Sequence, residues 1–237
     1  MNILDWQKKK KAKELISMVT CYDYWSARVL AKSKIDALLV GDSLAMVMYG
    51  HPNTLAADIP LMAQHTLAVK RGAPGKFVVA DMPFLSFRKG IKSTMDAVEA
   101  LMRAQANAVK IEGVLGHEKV ISHIVQSGVP VMGHLGLIPQ SIHQLGGYRV
   151  QGKKANNAPL LIDQAKCLED LGVFALVLEC LDEETANEIS QSLSIPTIGI
   201  GAGRGADGQI LVLHDLLGAD PDFNPKYLKK FAQLDTV

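Results

Sequence analysis

Eight short apolar runs recur along the chain, and polar, helix-like stretches separate most of them. The runs are LISMVTCY (15–22), ALLVGD (37–42), KFVVADMP (76–83), AVKIEG (108–113), VPVMGHLG (129–136), FALVLEC (174–180), PTIGIGAG (196–203) and QILVLHD (209–215). Most are rich in Val, Ile and Leu without strict alternation, as a strand buried on both faces reads. Between them, STMDAVEALMRAQA (93–106) places apolar residues at helical spacing behind a serine cap. HEKVISHIVQSG stops at Gly128 and LLIDQAKCLEDLG at Gly172, both plausible helix ends. Strands alternating with helices predict parallel βα units. At 237 residues the closed (βα)8 TIM barrel is the natural count. An open doubly wound sheet is the structural alternative. No linker or composition break interrupts the pattern, so a single domain over 1–237 is expected. The interval between the last two runs is too short for a full helix. The stretch 137–160, LIPQSIHQLGGYRVQGKKANNAPL, is loop-like and suits a cover over a site.

Composition narrows the classes. About half the residues (48%) are hydrophobic, enough for a large core. The formal charge is +1 and no basic face stands out, which argues against nucleic acid as a principal partner. Lys8 to Lys11 with Lys13 read as the solvated face of a short N-terminal helix rather than a targeting signal. Cys21, Cys167 and Cys180 form no CxxC or zinc-like pattern, so reduced thiols are the default. The N-terminus carries charges where a signal peptide needs an apolar centre. No apolar stretch approaches the ~18 residues of a membrane span. A soluble, cytoplasmic protein is the expectation.

The polar residues at the run ends carry the chemistry. The second run ends in Asp42-Ser43 and the third holds Asp81. The fourth holds Lys110 and Glu112, the fifth His134 and the sixth Glu179. Each alone is weak. A strand-end Asp is most often a cap or turn former. His134 between apolar residues and glycines can satisfy a backbone carbonyl. Lys110 and Glu112, two apart on one face, can be a structural ion pair. In a parallel barrel, however, the C-terminal strand ends converge on one mouth. Several carboxylates buried there are costly unless something offsets them. Asp42, Asp81 and Glu112 offer hard oxygen ligands, which favours Mg²⁺ over Zn²⁺. Lys110 and Ser43 could then hold a substrate carboxylate, and Glu179 would remain as a general base. A metal with a free carboxylate suits proton abstraction beside a carbonyl. The GxGxG of Gly199, Gly201 and Gly203 comes late in the chain and departs from the GxGxxG dinucleotide fingerprint. Tight packing at the mouth or a backbone approach to ligand is preferred for it.

The chain resembles the 3-methyl-2-oxobutanoate hydroxymethyltransferase (ketopantoate hydroxymethyltransferase) family. The matching stretches are TCYDY, VGDSLAMV, GHPNT, ADMPF, VKIEG, PVMGHLGLIPQS, GGYRVQG, LVLEC and IPTIGIGAG followed by DGQILVLHD. They fall in the family's order across roughly residues 16 to 217. The resemblance implies a barrel of the phosphoenolpyruvate/pyruvate superfamily. It implies transfer of a hydroxymethyl unit from 5,10-methylenetetrahydrofolate to 3-methyl-2-oxobutanoate through a Mg²⁺-stabilised enolate, giving 2-dehydropantoate on the way to pantothenate and coenzyme A. In the family's pattern Asp42 and Asp81 match direct Mg²⁺ ligands, and Glu112 a further acid of the metal site acting through water. Ser43 and Lys110 match groups that bind the ketoacid, His134 lies beside it, and Glu179 matches the base that takes the C3 proton. A homo-oligomer, a decamer of two rings of five, is also implied. The segment QLGGYRVQGK is expected to form part of the cover.

Some positions depart from the family. Ala45 stands where Gly is usual, Ile138 where Thr is usual, and Asp182 where Pro is usual. Family members continue some tens of residues beyond FNPKYLKKFAQL, whereas this sequence stops at Val237, which bears on subunit contacts and folate-side closure. Two rival readings remain. A different Mg²⁺-dependent 2-oxo acid lyase or mutase would be expected to carry a KKCGH-like loop, which is not seen. A non-catalytic barrel is opposed by the intact set Asp42, Asp81, Glu112 and Glu179.

Overall fold

The computed structural model describes residues 1–145, 147, 149–152 and 157–236. In chain order the elements are α1 (Ile3–Ala12), β1 (Ile16–Thr20), α2 (Tyr24–Ala31), β2 (Ala37–Val40), α3 (Leu44–Val47), α4 (Ile59–Gly72), β3 (Phe77–Asp81), α5 (Ile91–Arg103), β4 (Ala108–Glu112), α6 (Glu118–Gln126), β5 (Val131–Gly136), α7 (Ile142–Leu145), α8 (Ala158–Asp170), β6 (Ala175–Glu179), α9 (Glu183–Ser192), β7 (Thr197–Ile200), β8 (Gly208–Leu211) and α10 (Leu213–Leu216). Each expected run contains a strand. The strands pair in sequence order, all parallel, and β8 closes on β1 from Ile16–Gly208 to Val19–Leu211. The barrel is closed, so the open-sheet alternative falls.

The period of two along each strand sorts the core into two layers. Val19, Leu38, Val40, Val78, Ala80, Val109, Ile111, Leu176 and Leu178 face outward and pack with the helices. Ile16, Met18, Leu39, Phe77, Val79, Ala108, Met132, Val177 and Ile210 face the lumen. The N-terminal helix α1 closes the lower end, where fully buried Trp6 meets Phe77 and Phe174 edge-on at 5.6 and 5.4 Å. The basic run of α1 is only partly a solvated face. Lys9 pairs with Asp36 and Lys10 with Asp207, each at 2.8 Å, fastening the helix to the barrel floor.

Two boundaries differ from the sequence expectation. Ser93 lies inside α5 rather than capping it; Gly90 is the N-cap and makes no side-chain cap bond. The QILVLHD run is strand only to Leu211, and α10 begins at Leu213, whose N–H donates to Thr20 Oγ1 at 3.0 Å. An apolar run cannot by itself tell a buried strand from the first turn of a buried helix. The C-terminal segment turns back along α10, with Phe231 N–H donating to the Leu216 carbonyl at 2.8 Å. The three cysteines are free. Among the described residues no helix is long and apolar enough to cross a membrane.

Candidate active site

The alternation that builds the lumen also aims its upper ring of polar groups. Asp81 shares the face of Phe77 and Val79, Lys110 and Glu112 that of Ala108, His134 that of Met132, and Glu179 that of Ala175 and Val177. Strand register sets them side by side: Asp81 is opposite Lys110, Glu112 opposite His134, and Glu179 opposite Gly136. Asp42 joins them just past β2, and its N–H donates to Asp81 Oδ2 at 3.0 Å. Gly136 adopts φ +98, and a Cβ there would collide with the Glu179 carbonyl, so the turn that sets Glu179 in place needs glycine. The six strand-end residues Asp42, Asp81, Lys110, Glu112, His134 and Glu179 therefore do converge on one mouth.

Contacts among them form a chain. Lys110 Nζ lies 3.0 Å from Asp81 Oδ1 and 3.1 Å from His134 Nδ1. A lysine ammonium only donates, so Nδ1 accepts and the proton of the neutral ring sits on Nε2. That atom faces Glu179 Oε2 at 3.3 Å. A second ring proton, on Nδ1, would face Glu112 Oε1 at 3.6 Å. The floor residues Asp42, Asp81, Lys110, Glu112 and His134 are 2–5% exposed, whereas the Glu179 side chain keeps 20%. The acid floor is dry, and one carboxylate reaches up toward the opening.

The electrostatics follow from burial and crowding. Burial, then the charges of Asp81 and Glu112, raise the pKa of Asp42 well above the usual carboxylate range. Burial also raises that of Asp81, against the opposing pull of Lys110. Burial disfavours charge on Lys110, but Asp81, Glu112 and Asp42 overcome it and hold the ammonium's pKa above its ordinary value. For His134, burial and Lys110 lower the pKa, and Glu112 and Glu179 more than restore it, leaving it raised.

Three buried acids against one lysine leave a negative excess that a divalent cation would relieve. The donors are hard carboxylate oxygens, which suit Mg²⁺. In charge and donor chemistry the residues fit the ion. They are not drawn into one shell as they stand: among the described residues no three His, Cys, Asp or Glu side chains are grouped tightly enough to hold a metal. Asp81 Oδ2 accepts from the Asp42 backbone, and Asp42 Oδ2 accepts from Gln140 Nε2 at 2.8 Å.

Sequence reasoning missed two residues of the mouth. Tyr22, just past β1, shares a 2.8 Å hydrogen bond with Ser43 Oγ and stacks on His214. Its signal was available, since the first run also ends at the mouth. Gln140, in the turn after β5, is buried and bonds to both Asp42 and Glu112; nothing in its immediate sequence marks it. Ser43 itself is half-buried at the start of α3.

The 137–160 stretch is not entirely loop: it contains a 3-10 turn at Pro139–Ser141 and the short helix α7. Gln151 bridges in parallel to Leu181 and donates its N–H to the Cys180 carbonyl at 2.8 Å, so this segment extends the rim beside Glu179. Of the expected cover QLGGYRVQGK, Gly146, Tyr148 and Lys153 lie outside the described residues. The GIGAG turn is a packing device. A Cβ on Gly203 would strike the Glu183 side chain, and the turn leads to β8 without the helix a phosphate loop needs. Ala45 is fully buried in α3. Ile138 lies over the turn at Gly113. Asp182 precedes α9 without a side-chain cap bond, and its N–H donates to the Gln151 carbonyl at 2.9 Å.

The family model described as Ketopantoate hydroxymethyltransferase matches residues 1–237. A 3-methyl-2-oxobutanoate hydroxymethyltransferase of Coxiella burnetii (strain CbuG_Q212) is 58% identical over 232 residues, 98% of this chain and 87% of that protein. A protein of the same name from Bdellovibrio bacteriovorus is 55% identical over 229 residues, covering 97% and 87%. Among solved structures, 2,3-dimethylmalate lyase, a PEP mutase/isocitrate lyase superfamily member, aligns with a TM-score of 0.68 at 19% identity over 92% of this chain and 82% of its own. At that identity the likeness speaks to the fold.

Proposed function

The chain belongs to the ketopantoate hydroxymethyltransferase family and is a hydroxymethyltransferase of pantothenate synthesis, and from that premise we propose that it moves the one-carbon unit of 5,10-methylenetetrahydrofolate onto C3 of 3-methyl-2-oxobutanoate. With one water the products are 2-dehydropantoate and tetrahydrofolate. The observation that carries the reading is the contrast between a buried floor of Asp42, Asp81, Glu112 and Lys110 and a single, more exposed carboxylate, Glu179, above it.

In this reading Asp42, Asp81 and Glu112 would hold Mg²⁺. The ion supplies Lewis-acid stabilisation of the negative oxygen that develops when a 2-oxo acid enolises. Lys110 and Ser43 receive the ketoacid carboxylate, the ammonium by charge and the hydroxyl by a hydrogen bond steadied by Tyr22. Glu179 takes the C3 proton. His134 Nε2 lies 3.3 Å from Glu179 Oε2, beside the carboxylate that takes the proton. The C3 carbanion equivalent then forms the new carbon–carbon bond to the methylene carbon as one of that carbon's two C–N bonds to folate opens; water displaces the second nitrogen and supplies the product hydroxyl, and the proton taken from C3 and one from water return to the two folate nitrogens. The rim between β5 and β6 limits water at the opening. Both substrates are small molecules, and the protein is taken to work in the cytoplasm as a homo-oligomer.

The test uses 5,10-methylenetetrahydrofolate labelled with ¹³C at the methylene carbon. Labelled 2-dehydropantoate, formed only when 3-methyl-2-oxobutanoate and Mg²⁺ are both present, is the expected product by mass spectrometry. A folded protein that makes none under these conditions contradicts the proposal.

A further inference from the structure

The acid floor is gripped by a residue that belongs to none of its strands. Gln140 is 6% exposed. Its backbone N–H donates to Glu112 Oε2 at 3.0 Å. Its side-chain Nε2 donates to Asp42 Oδ2 at 2.8 Å and to the Met82 carbonyl at 2.9 Å. One residue from the turn after β5 thus spans the ends of β2, β3 and β4. The orientation of the amide follows from the Met82 carbonyl, which only accepts; turned over, the amide oxygen would face it. A glutamate there would set a further carboxylate against Asp42. The neutral amide separates two of the crowded acids without adding charge. Its oxygen, Oε1, is buried and has no hydrogen-bond partner among the described residues. Leaving such a group unpaired is costly, and fold stability alone gives no reason for it.

We propose that Gln140 is a positioning residue that sets the spacing of Asp42 and Glu112 for a divalent cation and couples the segment 137–145 to occupancy of that site. The inference rests on the reading of Asp42, Asp81 and Glu112 as the cation site. Two consequences follow. Without the bridge, Asp42 loses its side-chain donor and the acids lose their fixed separation, so affinity for the cation falls. With the bridge, changes at the acids reach the backbone of 137–145 directly.

The test takes the full chain, wild type, Gln140→Met and Gln140→Asn. Methionine keeps the volume without the donor, and asparagine keeps the amide but shortens its reach. Free Mn²⁺ is counted by electron paramagnetic resonance, and hydrogen exchange of the 137–145 peptide is followed with and without Mg²⁺. Thermal unfolding checks that each variant is folded. Wild type should bind Mn²⁺, and Mg²⁺ should alter exchange in 137–145. Both variants should bind Mn²⁺ about 10–100-fold more weakly, and their segment should stop responding to Mg²⁺. Wild-type affinity in a folded variant overturns the positioning role. A wild-type segment indifferent to Mg²⁺ overturns the coupling, whether or not any variant folds. Wild type that binds no Mn²⁺ overturns the cation reading, and this inference with it.

Discussion

Lys110 is the residue on which the buried charges balance. Its ammonium is 3.0 Å from Asp81 and almost fully buried, with Asp81, Glu112 and Asp42 together favouring its charge. Removing one partner of a buried pair strands the other. Lys110→Met should therefore lower unfolding free energy by about 3 kcal/mol in urea titrations and abolish measurable transfer. A variant as stable as wild type would contradict the ion-pair account. At this scale the sequence was most legible where a polar residue interrupts an apolar run, because burial makes such an interruption expensive. Asp81, Lys110, Glu112, His134 and Glu179 were all readable in that way. Tyr22 was marked only by its place at the end of the first run, and Gln140 by nothing local. The Tyr22 hydroxyl matters because Ser43 comes to it from another strand, and Gln140 because three strand ends meet around it. Such roles exist only after the chain closes.

At the scale of elements, strand alternation converts sequence spacing into a site. Residues two apart share a face, so Lys110 and Glu112 could be assigned to one side before any coordinates. The strands were legible because parallel strands covered on both faces are apolar throughout. Element ends were less so. The apolar run holding β8 passes straight into α10, and α5 begins without a capping side chain. Where β5 pairs with β6, Gly136 at φ +98 backs onto the Glu179 carbonyl. Gly136→Ala brings both a left-handed backbone penalty and a clash with main chain. It should cost about 2 kcal/mol of stability and reduce turnover further by shifting Glu179. Thermal unfolding alongside steady-state rates checks this; unchanged values for both would contradict it.

The whole molecule is a closed ring of strands with its chemistry at one end and Trp6 sealing the other. Closure also determines how stability responds to pH away from the mouth. Burial raises the pKa of Asp215 from the ordinary carboxylate range to about 6, Asp220 adds to the rise, and Lys230 opposes it. The folded state thus holds this proton more tightly than the unfolded chain does. The stability it contributes is present at pH values below the unfolded pKa and is lost as pH rises through the folded one. Asp215→Asn should match wild type at pH 3 and exceed it at pH 7.5 by about 1 kcal/mol, since water still screens the carboxyl; equal melting at both pH values would contradict this. The central claim is that the ring brings a base, Glu179, over an acid floor able to stabilise an enolate. Its most direct measurement is hydrogen–deuterium exchange at C3 of 3-methyl-2-oxobutanoate in D₂O, followed by NMR with Mg²⁺ present, for wild type and Glu179→Gln. Mg²⁺-dependent exchange by wild type that disappears in the variant is the predicted result. Exchange at the wild-type rate in folded Glu179→Gln, or none by metal-loaded wild type even with tetrahydrofolate bound, would contradict it.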